Sequence, residues 1–275
     1  VMALAMLAGM AIARGNPLYL EWHNASGAFY DPVRAVVGSV LLTYQLSYFN
    51  ILPLYVAILV AAPAFVAIGR RSLAAAFALS LAIYLVAIVT HTNLPSWPVP
   101  DAWYFNPLCW QILFVTGFVA AELTARHPEV LDRARRAVPY AIALVMVGLA
   151  IRLLEYWPDP LKVPEPRLLF LFDKTYLSPA RLLSVFALAI AFHGVFRIVQ
   201  PRLGALSSRL CALGRNSLAV FSVASLLSLA GQLVRFAAQG GVVTDIVVVL
   251  SGIWLMGLTA WFVEWRSRPR SSSRG

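Results

Sequence analysis

The chain has 275 residues, of which 60% are hydrophobic and only 12% are charged, and its mean hydropathy is +0.77. Soluble domains contain roughly 25% charged residues, so this composition excludes an ordinary soluble protein. The net charge is +10, but the basic residues lie at the ends of apolar runs instead of forming one stripe, which argues against nucleic-acid binding. We therefore expect an all-α fold, a polytopic integral membrane helix bundle, because helices satisfy their backbone hydrogen bonds inside a bilayer.

The chain begins within an apolar run, Val1 to Ala13, that is shorter than the roughly 20 residues of a full span. We interpret it as the end of a helix that starts upstream, and the chain as a C-terminal portion of a longer protein. Residues 14–31 are polar and turn-rich. Pro32 to Phe49 is a marginal span, and a helix lying in the membrane interface suits it better. Its polar residues are Arg34, Ser39, Thr43, Gln45 and Ser47.

Seven later apolar runs are long enough to span a bilayer. They cover residues 50–69, 72–92, 107–125, 136–156, 179–199, 214–235 and 242–264. With the shortened first run, the sequence predicts about eight transmembrane helices. We expect one transmembrane domain over residues 1–264 and a basic, disordered tail over residues 265–275.

Arginine clusters occupy every second connection between these runs, and they mark the cytoplasmic side by the positive-inside rule. They are Arg70 and Arg71; Arg126, Arg133, Arg135 and Arg136; Arg197, Arg202, Arg209 and Arg215; and Arg266, Arg268, Arg270 and Arg274. Because these segments carry the whole net charge of +10, the opposite side is neutral. The pattern predicts a cytoplasmic C-terminus.

The stretch WYFNPLCWQILFVTG, residues 103–117, reads as an outer loop entering a membrane helix. Asn106 is a favourable N-cap, and Pro107 suits the first turn because its missing N–H would have no partner there. Trp110 lies at the depth of the interfacial aromatic belt. Gln111 lies one turn inside the apolar region, so its amide must find a protein or ligand partner.

Three groups of polar residues could carry chemistry, and the first lies in the outer loop after residue 90. His91 could act as a general base on a sugar hydroxyl, and Trp97 and Trp103 could stack on sugar rings. An interfacial aromatic belt beside a solvated histidine would explain the same residues.

The second group, Asp173, Lys174, Ser178 and Arg181, precedes an outer helix start. We expect Ser178 to cap that helix and Arg181 to point back towards the outer surface, where the cluster could bind hydroxyls or an anionic group. A local ion pair in a juxtamembrane loop is the alternative.

The third group lies on the predicted cytoplasmic side, at a helix start containing Gly214, Arg215 and Ser217. Helix N–H groups and arginines, with Arg136 nearby in the same compartment, suit a coenzyme A pyrophosphate. Topology determination alone would explain the arginines equally well. The sequence contains no paired Cys/His spacing typical of a metal site.

Four segments of the chain, taken in order, resemble the OpgC family of membrane proteins, which succinylate osmoregulated periplasmic glucans. They are YFNILPLYVAIL (48–59), WYFNPLCWQILFVTG (103–117), DKTYLSPARLL (173–183) and LGRNSLAVFSVASLLSLAG (213–231). The resemblance runs from about residue 32 to about residue 235. It covers Asn106, Pro107, Trp110, Gln111, Asp173, Lys174, Arg181, Gly214, Arg215 and Ser217.

The resemblance implies a ten-helix bundle in the bacterial inner membrane, with both termini cytoplasmic. This chain would then supply the third to tenth helices. In the wider group of integral-membrane acyltransferases, the essential histidine and arginine lie on the first helices. We therefore expect the catalytic residues upstream of Val1, and we expect this chain alone to be inactive.

The function implied is O-acyl transfer, with acyl-CoA (succinyl-CoA) as donor substrate, a periplasmic glucan as acceptor and no permanently bound cofactor. Asn106, Gln111 and His91 are supporting candidates for the chemistry. The candidates for substrate binding are Trp103, Trp110, Asp173, Lys174 and Arg181, and those for the donor phosphates are Arg136, Arg215 and Ser217. The partners expected are membrane lipid, donor and glucan, and no nucleic acid.

Two rival functions stay open. One is transfer of acetyl or another acyl group to another envelope polysaccharide. The other is a non-enzymatic transporter of a glycan or lipid-linked sugar, which need not carry a histidine and arginine pair on its first helices. The residues upstream of Val1 would distinguish a transporter from an acyltransferase.

Overall fold

A computed structural model describes residues 1–47, 49–155, 162–164, 166–169 and 171–267. This part of the chain is built from α-helices joined by turns and short 3-10 segments. The helices are α1 (Met2–Arg14), α2 (Ser26–Tyr30), α3 (Pro32–Val40), α4 (Ile51–Arg71), α5 (Leu73–Thr90), α6 (Pro107–Arg126), α7 (Glu129–Leu153), α8 (Pro179–Leu203), α9 (Ala205–Arg215), α10 (Ser217–Ala237) and α11 (Val242–Ser267).

Within the described residues, seven helices are long and apolar enough to cross a membrane: α4 to α8, α10 and α11. They coincide with the seven predicted spans, and the all-α membrane fold is confirmed. Helix α1 has 13 residues. At a rise of 1.5 Å per residue it is about 20 Å long, less than the roughly 30 Å of a bilayer's hydrocarbon core. Its interpretation as the end of a longer helix stays a prediction.

The surfaces of these helices carry many exposed large apolar side chains, such as Val60, Phe192, Val243 and Trp254. A soluble monomer rarely exposes apolar area of this extent. Lipid is the solvent that such surfaces fit, so the fold is that of a multi-pass membrane protein.

The predicted interfacial helix is shorter than the sequence pattern indicated. It begins at Pro32 but ends at Val40, nine residues before Phe49. The backbone N–H groups of Thr43 and Tyr44 both donate to the carbonyl of Gly38, at 2.8 and 3.0 Å, and thereby close the helix end. A side chain at position 38 would collide with the carbonyl oxygen of Trp97, because a Cβ there would lie 2.5 Å from it.

Helix α7 begins at Glu129, seven residues before the predicted start of its span. Its first turns therefore include the arginine cluster around Arg136. The acidic residues Glu129 and Asp132 lie in the first turn, where they suit the positive end of the helix dipole.

The helix predicted to begin at residue 214 is interrupted instead. Helix α9 ends at Arg215, and α10 starts at Ser217 after a break at Asn216. The side-chain N–H of Asn216 donates to the carbonyl of Ala212 at 2.9 Å, so Asn216 closes α9 and does not cap α10. The sequence pattern did not predict α9 as a separate helix.

Helix α11 continues to Ser267, so residues 265–267 of the expected tail are helical. The rest of that tail, residues 268–275, lies outside the described residues, as do residues 156–161, 165 and 170.

The helices are grouped in two compact units. The first comprises Val1–Val36, Leu46–Phe49 and the chain from Gln200 onwards. In it α1 packs against α10, and α10 against α11. A Cβ at Gly231 of α10 would lie 2.6 Å from Val248 of α11, so these two helices approach closely.

The second unit comprises Val37–Gln45 and Asn50–Val199. Helices α4, α5 and α6 pack against one another, and α6 contacts α7. Small residues, including Ala141 and Ala191, bring α7 and α8 together. The single transmembrane domain over residues 1–264 stays a prediction.

Candidate functional site

The candidate site lies in the second unit, where α5 ends and α6 and α8 begin. We call it the rim, and it comprises residues 90–111 and 171–181. Asn106 is fully buried at its centre. Its side-chain oxygen accepts from Leu108 N at 3.0 Å, its side-chain N–H donates to Thr92 O at 2.7 Å, and its backbone N–H donates to Thr175 O at 3.0 Å. One residue therefore caps α6 and ties it to both neighbouring segments.

Two aromatic side chains also donate a hydrogen bond to a backbone carbonyl of another segment. The indole N–H of Trp110 donates to Lys174 O at 2.9 Å. The hydroxyl of Tyr84 on α5 donates to Leu177 O at 2.9 Å. Both bonds hold the segment before α8 against α5 and α6.

Tyr176 makes a third such bond, because its hydroxyl donates to His91 O at 2.8 Å. The two rings also meet edge to face, with centroids 5.9 Å apart. Burial raises the pKa of Tyr176, and the nearby Asp173 carboxylate raises it further. The phenol therefore stays protonated at neutral pH and keeps its hydrogen bond.

His91 ends α5 in a left-handed backbone conformation, with φ 54°. Its side chain is exposed and has no hydrogen-bond acceptor or donor within the described residues. The carbonyl of His91 is held by Tyr176, and the imidazole contacts the Tyr176 ring while the residue stays exposed. His91 thus lies between α5 and α6, as the sequence predicted, and its outer location stays a prediction.

The exposure of the tryptophans differs from the expectation. Trp103 is only 4% exposed, so its ring is buried and cannot stack on a sugar in this conformation. Its carbonyl accepts from the side-chain N–H of Asn93 at 2.8 Å. Trp97 and Tyr104, at 41% and 46% exposure, present the accessible aromatic surface instead.

Gln111 lies one turn deeper than Asn106 and is buried. Its side-chain oxygen accepts from the hydroxyl of Ser80 at 2.7 Å, and its N–H groups donate to Ser80 O at 2.8 Å and Leu108 O at 3.2 Å. The partner that the sequence required is thus supplied by α5. The role of Gln111 in the chemistry stays a prediction.

The segment before α8 is shaped by Asp173, whose carboxylate accepts from Tyr176 N at 2.7 Å. Lys174 is exposed, and Arg181 donates to Phe172 O at 3.4 Å. Among the described residues, no ion pair involves any of these three charged side chains.

The prediction that the side chain of Ser178 caps α8 is wrong. Ser178 is fully buried, but its hydroxyl has no hydrogen-bond partner among the described residues. Only its backbone carbonyl takes part in the helix start, by accepting from Leu182 N at 2.9 Å.

The predicted donor site divides between the two units. In the first unit, Arg215 donates through Nη2 and Nε to Glu264 Oε1, at 2.7 and 3.2 Å. Ser217 is the first residue of α10, beside this pair. Arg136 belongs to α7 of the second unit and is exposed. Their joint role in donor binding stays a prediction.

His23 of the first unit was missed by sequence reasoning. Its Nε2 lies 3.1 Å from the side-chain oxygen of Gln232, and its backbone is left-handed, with φ 58°. Burial lowers its pKa, although the bond to Gln232 acts in the opposite direction. The amide of Gln232 within the apolar run 214–235 was the available signal, because it too required a partner.

Comparison with known families adds the last observation. The model of the family described as OpgC protein matches residues 1–268. The chain belongs to the OpgC family. The match covers the rim, both units and more of the chain than the four resembling segments. No curated protein and no solved structure matches the chain. Membership makes it a glucan-modifying protein, and its seven long apolar helices make it a multi-pass membrane protein.

Proposed function

We propose that the full-length protein to which this chain belongs carries out O-acyl transfer, in which a succinyl group passes from acyl-CoA to a hydroxyl of a periplasmic glucan. The rim is the observation that supports the proposal. It combines an accessible histidine, exposed aromatic rings and cationic side chains at one end of α5, α6 and α8, in a protein of the OpgC family. We further propose that the protein lies in the bacterial inner membrane, with the rim facing the periplasm and the C-terminus cytoplasmic.

In this proposal the glucan lies on the rim. Trp97 and Tyr104 offer aromatic faces to sugar rings, while Asp173 and Lys174 supply polar contacts to hydroxyls. His91 is this chain's candidate general base, because the residue is exposed and its imidazole contacts the ring of Tyr176. The sugar oxygen attacks the acyl carbonyl carbon, its proton passes to the imidazole, and the coenzyme A thiolate leaves.

Asn106 and Gln111 act as positioning residues in this account. Both N–H groups of Gln111 are already bonded to backbone carbonyls, and Asn106 joins three segments. Their contribution is to keep the end of α6 and the segment before α8 in fixed register. Hydrogen bonds of this kind, made by residues that support a site, keep the reacting groups in the geometry that the chemistry needs.

The donor is proposed to enter from the arginine-rich side. Arg215 and Ser217 of the first unit would contact the phosphates of coenzyme A. The Arg215–Glu264 pair is partly exposed, with side-chain exposures of 62% and 32%, so a phosphate can replace the carboxylate as partner of the guanidinium. Acyl-CoA acts here as a substrate and not as a bound cofactor.

The test is succinyl transfer to glucan by the full-length protein in membrane vesicles. His91→Asn should lower kcat by about 100-fold, the lower range for loss of a general base. His127→Asn is the matched control, because His127 is an exposed histidine at the other end of α6, paired with Glu129. Equal activity of the His91 and His127 variants would reject the role of His91. Absence of transfer by the unmodified protein would reject the function.

A further inference from the structure

The start of α8 carries polar groups that the rest of the rim leaves unused. Helix α8 is 25 residues long and begins at Pro179, so Ser178 occupies its N-cap position. An N-cap hydroxyl normally accepts from a backbone N–H of the first turn. The hydroxyl of Ser178 makes no such bond, although the residue is 0% exposed.

The backbone donors of this first turn are also available. Among the described residues, neither Ala180 N–H nor Arg181 N–H has an acceptor. Pro179, Ala180 and Arg181 are all partly exposed, so a ligand oxygen can reach the end of the helix. Uncapped N–H groups at the positive end of a helix dipole favour an anion.

Arg181 adds a full positive charge at the same place. Its Nε is buried and has no hydrogen-bond partner among the described residues, and Nη2 makes one long bond, 3.4 Å, to Phe172 O. A guanidinium has five N–H donors in a planar fork that matches a carboxylate. Because no described carboxylate pairs with it, most of that capacity is unused.

We propose that the start of α8, with Ser178 and Arg181, binds the free carboxylate of a dicarboxylic acyl group such as succinyl. This inference rests on the proposed function and deepens it by naming what selects the acyl group. A sugar hydroxyl is neutral and would not need a guanidinium and a helix terminus together, whereas a carboxylate is stabilised by both. The site would favour a charged acyl group over a neutral one of equal carbon number.

The test compares two donors with the full-length protein in membrane vesicles, namely succinyl-CoA and butyryl-CoA with the same glucan. The measured quantity is the ratio of kcat/KM for the two donors, which is independent of the fraction of folded protein. Arg181→Met should lower this ratio by about 10- to 100-fold, the range for one charge-assisted hydrogen bond. Arg181→Lys, which keeps the charge but loses the fork, should lower it less. Arg34→Met, at an exposed arginine paired with Asp31, is the control and should leave the ratio unchanged.

Ser178→Ala gives a second, independent readout. Because the hydroxyl has no partner, its removal should not lower the thermal unfolding midpoint. It should still lower the donor ratio by about 2- to 10-fold, the range for a neutral hydrogen bond. A fall in the midpoint with an unchanged ratio would show a structural role and overturn the inference for Ser178.

The remaining outcomes separate the inference from the function. If Arg181→Met lowers kcat/KM equally for both donors, their ratio is unchanged. That result overturns the inference but not the proposed acyl transfer. A lipid phosphate as the true anion would produce this result, since it does not distinguish the donors. Failure of the unmodified protein to transfer either group overturns the proposed function and the inference with it.

Discussion

The rim and the pair formed by Arg215 and Glu264 are held together in different ways. At the rim, buried side chains such as Asn106 donate to backbone carbonyls of other segments. Arg215 and Glu264 are joined by one ion pair between partly exposed side chains. Breaking a buried bond leaves an unsatisfied polar group, whereas an exposed pair exchanges readily with water, salt or ligand. The rim is thus suited to fixed positioning, and the ion pair to exchange of partners.

The largest expected effect is at Asn106. Asn106→Ala removes the cap of α6 and leaves the Thr92 carbonyl without its donor, which should lower the free energy of unfolding by about 3 kcal/mol. The measurement is reversible unfolding in mixed micelles. Asn16→Ala is the matched control, because Asn16 caps only an exposed 3-10 turn by accepting from Leu18 N. A loss at Asn16 as large as that at Asn106 would contradict the importance of burial.

A smaller effect is expected at the bond between α5 and α6. Gln111→Leu should cost about 1–2 kcal/mol, because interhelical polar contacts in membranes are modest. In a double-mutant cycle with Ser80→Ala, the coupling energy should be about 0.6–1.7 kcal/mol. Strictly additive losses would show that the two side chains do not stabilise each other.

Arg215→Ala tests the exposed pair and should lower the free energy of unfolding by at most about 1 kcal/mol. The difference from the unmodified protein should shrink in about 1 M salt, where the Debye length is near 3 Å. If the proposed donor role holds, KM for the acyl-CoA should rise in the same variant. A large, salt-independent loss of stability would show instead that Arg215 makes a buried structural contact, as the rim residues do.

His23 provides the smallest effect, which is visible only as a pH dependence. Its pKa in the folded protein is lowered by burial, so above the ordinary value of 6.5 its contribution to stability is complete. As the pH falls from 6.5 through the folded pKa, the unfolded state binds the proton more readily and stability decreases. The unfolding midpoint should therefore decline more steeply between pH 7 and 5 than in His23→Asn. Parallel profiles would contradict this assignment.

The sequence predicted the elements whose signals are local. Seven spans follow from the lengths of apolar runs, and the start of α6 follows from Asn106 and Pro107. The need of Gln111 for a partner was also evident, because an amide inside an apolar run has no water to bond.

The features that were missed depend on partners distant in the chain. Glu264 meets Arg215 across 49 residues, and Gln232 meets His23 across 209. Neither pairing can be predicted from the periodicity of apolar residues in the sequence. The buried ring of Trp103 was likewise unpredictable, because its exposure is decided by the fold of the loop around it and not by its position beside a span.

The central claim is that the rim and the Arg215 region open to opposite compartments. Single cysteines at Lys174 and at Arg215, in a background with Cys211→Ser, can be treated with a membrane-impermeant maleimide on intact spheroplasts; Cys109 is fully buried. The account predicts labelling of Lys174→Cys in intact spheroplasts and of Arg215→Cys only after permeabilisation. Labelling of both positions from the same side would contradict it.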